Sequence, residues 1–212
     1  MKLFLFGWAA TQDNHSVVEP LLKLIEQVIH KLKPKQILHI PFARTTISQI
    51  ERADGRFTKH VNLDWIEYLN AANEGDLEKI DSPLLFLSGG SKTGNLLNEI
   101  KANPKLEQLI RNAEYIIGES AGAKVLWSCV STRDNELLEW LGIIKDTIIE
   151  PHYTEKNRQA LLVQEMEKEN LKYGIGIDVV TAMVFDVEDF PQKYEIIGDG
   201  IVEVKINSHF VQ

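Results

Sequence analysis

Short, mainly apolar runs separate longer segments of helical periodicity, and this alternation restricts the fold of the chain more than any other feature. The apolar runs are Leu3–Phe6, Gln36–Ile40, Leu84–Leu87, Tyr115–Ile117 and Thr147–Ile149. Continuous apolar strands between helices are typical of a mostly parallel sheet that is covered on both faces. The sequence therefore predicts an α/β protein with such a sheet at its centre.

The segments between these runs carry the helical signal. Helices are predicted over Val17–Leu32, Leu96–Ile110 with a break at Pro104, Ala121–Cys129 and Asn157–Glu169. The polar stretch Arg44–Lys59 fits a loop or a surface helix, and Asp64–Leu69 fits a strand or a helix. The glycine-rich part from Tyr173 to Val211 predicts a small antiparallel extension rather than a second domain. We therefore expect residues 1–212 to form a single domain.

Composition limits the class of function. The chain has 23 basic and 31 acidic residues and a net charge of −8, which argues against nucleic acid or a membrane surface as partner. Cys129 is the only cysteine, so we expect no internal disulfide and a cytoplasmic protein. The apolar run Leu3–Ala10 fits a buried strand better than a signal peptide. Metal-ligand spacings and complete cofactor motifs are missing, so neither a metal nor a cofactor is expected.

The strongest local signal is Gly118-Glu119-Ser120-Ala121-Gly122, which lies between a predicted strand and a predicted helix. Gly-x-Ser-x-Gly at such a junction is the nucleophile-elbow pattern, in which small neighbours let a serine occupy a sharp turn. The following helix would direct backbone N–H groups towards an oxyanion. The pattern predicts Ser120 as a nucleophile. The alternative is a tight turn in which the serine caps the helix.

A nucleophilic serine needs a base, and His152 is the best candidate among the histidines. It follows the strand Thr147–Ile149, which we expect to deliver it to the same carboxyl edge of the sheet as Ser120. The alternative is a strand-end histidine bonded to backbone. His39 lies inside a strand and is interpreted as a core histidine with its polar atoms satisfied, and His30 on a helix is expected to be solvated.

The base needs an acid that orients it. Asp134 lies in the polar loop between the serine and the histidine and is the first candidate. Glu136 is the nearest competitor and Glu150 a weaker one. The alternative is a solvated loop acid, which is the usual environment of such residues.

A second backbone donor for an oxyanion is expected at the end of another strand. Leu84–Leu87 runs directly into Ser88-Gly89-Gly90, where two glycines let the backbone approach a ligand closely. We predict an oxyanion hole made by the N–H groups of Gly90 and Ala121.

Taken together, these motifs resemble the dipeptidase E and cyanophycinase family of serine peptidases. The resemblance rests on Gly89-Gly90 after a strand, GESAGA at 118–123, PHY at 151–153 and GIGIDVVTA at 174–182. It implies a three-layer α/β/α sandwich similar to class I glutamine amidotransferases. It also implies Ser120 as nucleophile, His152 as base, and Gly90 and Ala121 as oxyanion donors.

The chain departs from this family near the expected substrate. Aspartyl dipeptidases of the family carry a longer loop after the histidine and then an arginine that binds the aspartate side chain. Arg158 is the candidate for that role here, since a guanidinium suits a carboxylate, and the alternative is a solvated residue at the start of a helix. Glu119 places a carboxylate beside the nucleophile, where it would repel an acidic substrate or contact a free amino group. Gly89, Glu119 and Arg158 are thus the candidate substrate-binding residues.

Three functions fit these observations. The leading hypothesis is a serine hydrolase that cleaves a small peptide or related amide by a Ser-His-Asp mechanism. An esterase or acyl hydrolase shares the same elbow and the same order of residues along the chain. A binding protein on the same scaffold, without catalysis, is the third. The oligomeric state stays open between a monomer and a homodimer.

Overall fold

The computed structural model describes residues 1–8, 17–131 and 137–210. Its strands are β1 (Lys2–Phe6), β2 (Gln36–Ile40), β3 (Glu67–Asn70), β4 (Leu84–Leu87), β5 (Tyr115–Glu119), β6 (Cys129–Ser131), β7 (Leu137–Glu139), β8 (Thr147–Pro151), β9 (Tyr173–Ile177), β10 (Thr181–Asp186), β11 (Glu195–Gly198) and β12 (Val202–Ile206). Its helices are α1 (Val18–Leu32), α2 (Ile47–His60), α3 (Thr93–Ala102), α4 (Pro104–Asn112), α5 (Ala121–Lys124) and α6 (Gln159–Lys168).

The central sheet of the described chain is mostly parallel, as predicted. Its strands lie in the order β11-β10-β1-β5-β4-β2-β3. Strands β1, β5, β4, β2 and β3 run parallel to one another. Strands β10 and β11 add antiparallel pairs at one edge. The carboxyl ends of four adjacent parallel strands, β1, β5, β4 and β2, therefore meet at one edge of the sheet, which is where ligands bind in such folds.

Alternation along β1 shows how the sheet divides the apolar side chains into two cores. Leu3 and Leu5 point into the core covered by α3 and α4, whereas Phe4 and Phe6 point into the core covered by α1 and α2. Successive side chains of a strand face opposite sides, so a strand that is apolar throughout must be covered twice. The result is the expected α/β/α arrangement of layers.

Local sequence signals explain the helix boundaries. Helix α1 ends at Leu32, its C-cap residue Lys33 has a left-handed backbone with φ 50°, and Pro34 follows. The predicted break at Pro104 is confirmed, because Pro104 is the first residue of α4 and Asn103 caps it by accepting from the Leu106 N–H at 3.2 Å. Within the described residues, no helix has the length and apolar character needed to span a bilayer.

The strand that precedes His152 lies elsewhere than predicted. Strand β8 belongs to a second sheet, ordered β12-β9-β8, and not to the edge of the central sheet. Glycines of β9 explain the packing of this sheet, since a Cβ on Gly174 would lie 2.2 Å from Met166 Sδ and one on Gly176 2.4 Å from the Tyr153 ring. The second sheet thus packs closely against its own helix, α6, and its strand β8 leads directly into His152.

The helix predicted over Ala121–Cys129 is wrong beyond its first turn. Helix α5 ends at Lys124, and the chain continues into β6, which pairs with β7 in a separate two-stranded sheet. The consecutive residues Val125, Leu126 and Trp127 are all fully buried. A helix on the surface of a sheet buries only one face, so three consecutive buried residues require a different backbone path.

Candidate active site

Ser120 occupies a strained turn between β5 and α5. Its backbone has φ 50 and ψ −106, outside the regions that residues with a side chain usually adopt. The Ser120 N–H donates to the Phe6 carbonyl oxygen at 2.9 Å, which ties the turn to the neighbouring strand β1. Backbone strain of this kind persists only where the surrounding structure enforces it, and it collects at functional sites.

The small residues around Ser120 have the steric role that the sequence predicts. A Cβ on Gly118 would lie 2.9 Å from Ala123 Cα, and one on Gly122 would lie 1.9 Å from the Leu87 carbonyl oxygen. Both obstacles are backbone atoms, which cannot rotate away as the end of a side chain can. The turn therefore requires glycine at both positions.

Substitution of Gly122 by alanine is expected to lower the free energy of unfolding by about 3 kcal/mol, the upper range for overpacking a dense interior. Denaturant unfolding would measure the change. Gly55→Ala is the matched control, because a Cβ at Gly55 in α2 meets no atom within 4 Å. That change should stabilise the protein by about 0.5–1 kcal/mol. Equal effects of the two substitutions would contradict this account of the turn.

His152 meets Ser120 although they belong to different sheets. The His152 Nε2 atom lies 3.0 Å from Ser120 Oγ, within the range for direct proton transfer. His152 follows the last residue of β8 and has a left-handed backbone with φ 62. The residue is buried, with 7% of its surface exposed. The structure thus brings the predicted nucleophile and the predicted base together.

The environment of His152 keeps its ring neutral. Burial, followed by the charges of Lys156, Arg158 and Lys124, lowers the pKa of His152 to about 3. A neutral imidazole at pH 7 has the free lone pair that a general base needs. Its other nitrogen, Nδ1, is buried and has no hydrogen-bond partner among the described residues.

The three candidate acids differ in what is known of their positions. Asp134 and Glu136 lie outside the described residues, so their roles remain predictions. Glu150 is almost fully buried, and its carboxylate accepts from Lys124 Nζ at 2.5 Å and from Arg158 Nη1. Glu150 therefore binds two cations and forms no hydrogen bond to His152 Nδ1.

The same ion pair bears on the substrate role predicted for Arg158. The Arg158 guanidinium lies beside His152 and is bonded to Glu150. A substrate carboxylate at this position would share the guanidinium with Glu150. Binding of a substrate by Arg158 remains a prediction, and it requires the guanidinium to contact Glu150 and the substrate carboxylate together.

The turn at Gly89–Gly90 passes close to the ends of β5 and β2, the two strands that flank β4. The Gly89 N–H donates to Glu119 Oε2 at 3.2 Å, and a Cβ on Gly90 would lie 2.2 Å from the Ala43 carbonyl oxygen. The predicted oxyanion donors, the N–H groups of Gly90 and Ala121, lie on this turn and directly after Ser120. Because α5 is only one turn long, its dipole adds little, and stabilisation of an oxyanion depends on these individual N–H groups.

Glu119 is buried beside the nucleophile and is not permanently charged. Burial raises its pKa to about 7, although the charges of Arg44 and Arg56 and the Gly89 N–H act in the opposite direction. At neutral pH the side chain therefore exists in both protonated and ionised forms. The sequence predicted a carboxylate here but gave no indication of its burial.

Replacement of Glu119 by glutamine is expected to change how stability depends on pH. In the unfolded chain Glu119 has its ordinary pKa of 4.5, so between pH 4.5 and about 7 the unfolded state is ionised while the folded state retains a proton. The free energy of unfolding of the native protein therefore falls as pH rises through this window. Glu119→Gln removes this contribution, so its stability relative to the native protein should rise with pH by up to about 3 kcal/mol. Denaturant unfolding would measure the free energy of unfolding of both proteins against pH. If the two profiles run parallel, the raised pKa of Glu119 is contradicted.

Two cations near the site were missed by sequence reasoning. Arg44 lies just after β2, and its Nη1 donates to Ser88 Oγ at 3.0 Å. Lys124 lies at the end of α5 and binds Glu150. The position of Arg44 shortly after a predicted strand was an available signal, since such residues lie at the carboxyl edge of a parallel sheet. For Lys124, which lies among the small residues of the elbow, no comparable signal exists.

The fold and this geometry place a serine–histidine pair on an elbow at the carboxyl edge of an α/β/α sheet, an arrangement typical of serine hydrolases. The sequence profile of peptidase family S51 matches residues 3–192. The chain belongs to peptidase family S51, the family of dipeptidase E and cyanophycinase.

Curated relatives of the chain are cyanophycinases. That of Synechococcus elongatus is 30% identical over 133 residues, which cover 57% of this chain and 40% of the relative. That of Geminocystis herdmanii strain PCC 6308 is 29% identical over 133 residues, covering 57% and 48%. The matches thus span less than half the length of these relatives.

Solved structures share the fold over nearly the whole chain. A peptidase from an acI-B1 Actinobacterium has a TM-score of 0.68 and 20% identity, with 98% of this chain and 94% of that chain covered. A protein assigned as a peptidase E from Listeria monocytogenes EGD-e has a TM-score of 0.55 and 21% identity, with 98% of both chains covered. At these identities the likeness concerns the fold alone.

Proposed function

We propose that the chain hydrolyses a small peptide or a related amide through an acyl-enzyme formed on Ser120. The observation that carries this proposal is the 3.0 Å separation of Ser120 Oγ and His152 Nε2, on a turn whose backbone is strained. Membership of a peptidase family supports the same chemistry. A hydrogen bond between a serine and a neutral, buried histidine also favours catalysis over a binding role without chemistry.

In the acylation step, His152 Nε2 takes the proton from Ser120 Oγ as the oxygen attacks the scissile carbonyl carbon. The carbonyl oxygen becomes an oxyanion that accepts from the Gly90 and Ala121 N–H groups. The imidazolium then gives its proton to the leaving amine as the C–N bond breaks. Water enters, loses a proton to His152 and cleaves the ester on Ser120, and the returned proton restores the serine.

Asp134 is proposed as the acid that holds His152 in the required tautomer. Two facts support it: its place between the serine and the histidine along the chain, and the absence of a partner for His152 Nδ1 among the described residues. Asp134→Asn is expected to lower kcat by about 10⁴-fold, the loss typical of a triad aspartate changed to its amide. Glu136→Gln is the control and should retain activity. The reverse outcome in steady-state assays would transfer the role to Glu136.

A substrate panel tests the proposal as a whole. It would compare dipeptides with neutral and acidic first residues, isoaspartyl peptides, simple aryl esters and cyanophycin, on the native protein and on Ser120→Ala. Cyanophycin is included because the curated relatives are named cyanophycinases. Hydrolysis of one peptide class by the native protein alone is expected. Turnover of aryl esters without any peptide would favour an esterase, and no turnover by labelled, folded protein would contradict the proposal.

A further inference from the structure

A second buried set of polar side chains lies on the α1–α2 side of the central sheet, and no catalytic step described above uses it. Ser88, the residue before Gly89–Gly90, is buried at the end of β4. Its Oγ lies 2.8 Å from His39 Nε2 and accepts from Arg44 Nη1 at 3.0 Å. His39 is the core histidine that the sequence predicted, and its polar atoms are satisfied.

The other side of the His39 ring is fixed by Asp54 of helix α2. His39 Nδ1 lies 3.1 Å from Asp54 Oδ1, and the same oxygen accepts from Tyr68 OH at 2.5 Å and from Asn70 Nδ2 at 2.7 Å. A carboxylate at Nδ1 holds the ring proton on that nitrogen. Nε2 is then an acceptor for the Ser88 hydroxyl proton, and the three residues form a continuous chain of hydrogen bonds.

This Ser-His-Asp chain has the connectivity of a catalytic triad without its accessibility. Only 2% of the Ser88 surface is exposed, and His39 has no exposed surface. The Ser88 oxygen also accepts from a guanidinium, which occupies a lone pair that a nucleophile would use. The geometry of this Ser-His-Asp chain therefore favours a role in holding the backbone in place over nucleophilic attack on a substrate.

The backbone that it fixes is the turn of the candidate oxyanion hole. Ser88 is joined directly to Gly89, whose N–H donates to Glu119 Oε2, and Glu119 is joined directly to Ser120. Gly90 passes so close to the Ala43 carbonyl that only a glycine fits. The turn is thus held by the Ser88 side chain, by the Glu119 side chain and by the contact of Gly90 with the Ala43 backbone.

We propose that Asp54, His39 and Ser88 are positioning residues that align the Gly90 N–H with the oxyanion of the transition state. This inference rests on the proposed function, because it needs Gly90 to act as a donor. Complete loss of one oxyanion donor costs about 10²–10³-fold in kcat, and a displaced donor loses part of that. Since an oxyanion forms only in the transition state, the effect should fall on kcat and leave KM unchanged.

The test compares Ser88→Ala, His39→Phe and the double variant with the native protein and with Ser48→Ala, an exposed control on α2. Phenylalanine keeps an aromatic ring against Phe57 and Phe86, whose rings stack on His39. Titration with a fluorophosphonate counts active sites, so that kcat refers to folded enzyme. Each single variant should lose about tenfold or more in kcat at constant KM. The double variant should lose no more than the larger single loss, because the residues act as one chain.

Unchanged kcat per titrated site in Ser88→Ala would overturn the inference, as would a loss confined to KM. Labelling of Ser88 in place of Ser120 would overturn it as well. If Ser88→Ala fails to fold, Asp54→Asn on the partly exposed helix α2 takes its place and should give a smaller loss of kcat. Unchanged kcat in Asp54→Asn would then overturn the inference. A native protein that neither labels nor turns over peptide refutes the proposed function instead.

Discussion

Ser120→Ala is expected to lower kcat for peptide hydrolysis by about 10⁶-fold, the loss measured when a triad nucleophile is removed from a serine protease. The physical reason is that the acyl-enzyme cannot form without the Ser120 oxygen, whereas substrate binding and the oxyanion donors remain. The alanine side chain fits the strained turn as well as serine does, so the free energy of unfolding should change little. Steady-state kinetics on purified, folded variant measures the effect.

Ser48→Ala is the matched control for this prediction, because Ser48 is an exposed serine on α2. It should have native kcat and KM. Residual activity of Ser120→Ala within about tenfold of the native value, in protein free of contaminating peptidase, would contradict a nucleophilic role.

His152→Ala is expected to cost nearly as much, about 10⁶-fold in kcat, because it removes the base that lies within hydrogen-bond distance of Ser120 Oγ. The Ser120→Ala/His152→Ala double variant should be no worse than either single variant, since the two side chains act in one step. Fluorophosphonate labelling of His152→Ala should also be much slower than that of the native protein.

His30→Ala is the control for the histidine, because His30 lies exposed on α1, far along the chain from the elbow. It should label and turn over as the native protein does. Additive losses in the double variant would show that His152 and Ser120 act independently and would contradict the proposed proton transfer.

The elbow was predictable from sequence because every requirement of it is local. A strand of apolar residues, the small residues Gly118 and Gly122 and a following helical turn are all visible within one short segment. The structure gives the reason for both glycines as contacts with backbone atoms of Ala123 and Leu87. The mostly parallel sheet was predictable in the same way from local apolar runs, since a strand without a polar face must be covered on both sides.

Other features were not predictable because they depend on residues far apart in the chain. The second sheet forms because β9 carries Gly174 and Gly176, which admit Met166 and Tyr153, and sequence patterns do not show such packing partners. The bonds of His39 to Asp54 and Ser88 join β2 to α2 and β4. The burial of Glu119, which raises its pKa, likewise involves distant residues, since Glu119 lines a cavity with Leu21 of α1 and Phe57 of α2.

Labelling with a fluorophosphonate, followed by mass spectrometry of the tryptic peptides, identifies the nucleophilic residue. Attack by Ser120 forms an O–P bond and releases fluoride, so the adduct marks the nucleophile. Trypsin should release residues 112–124, a peptide in which Ser120 is the only serine. One adduct per chain is expected on this peptide, lost in Ser120→Ala and slowed in His152→Ala. Folded native protein that carries no adduct, or carries it on another peptide, would rule out Ser120 as the nucleophile.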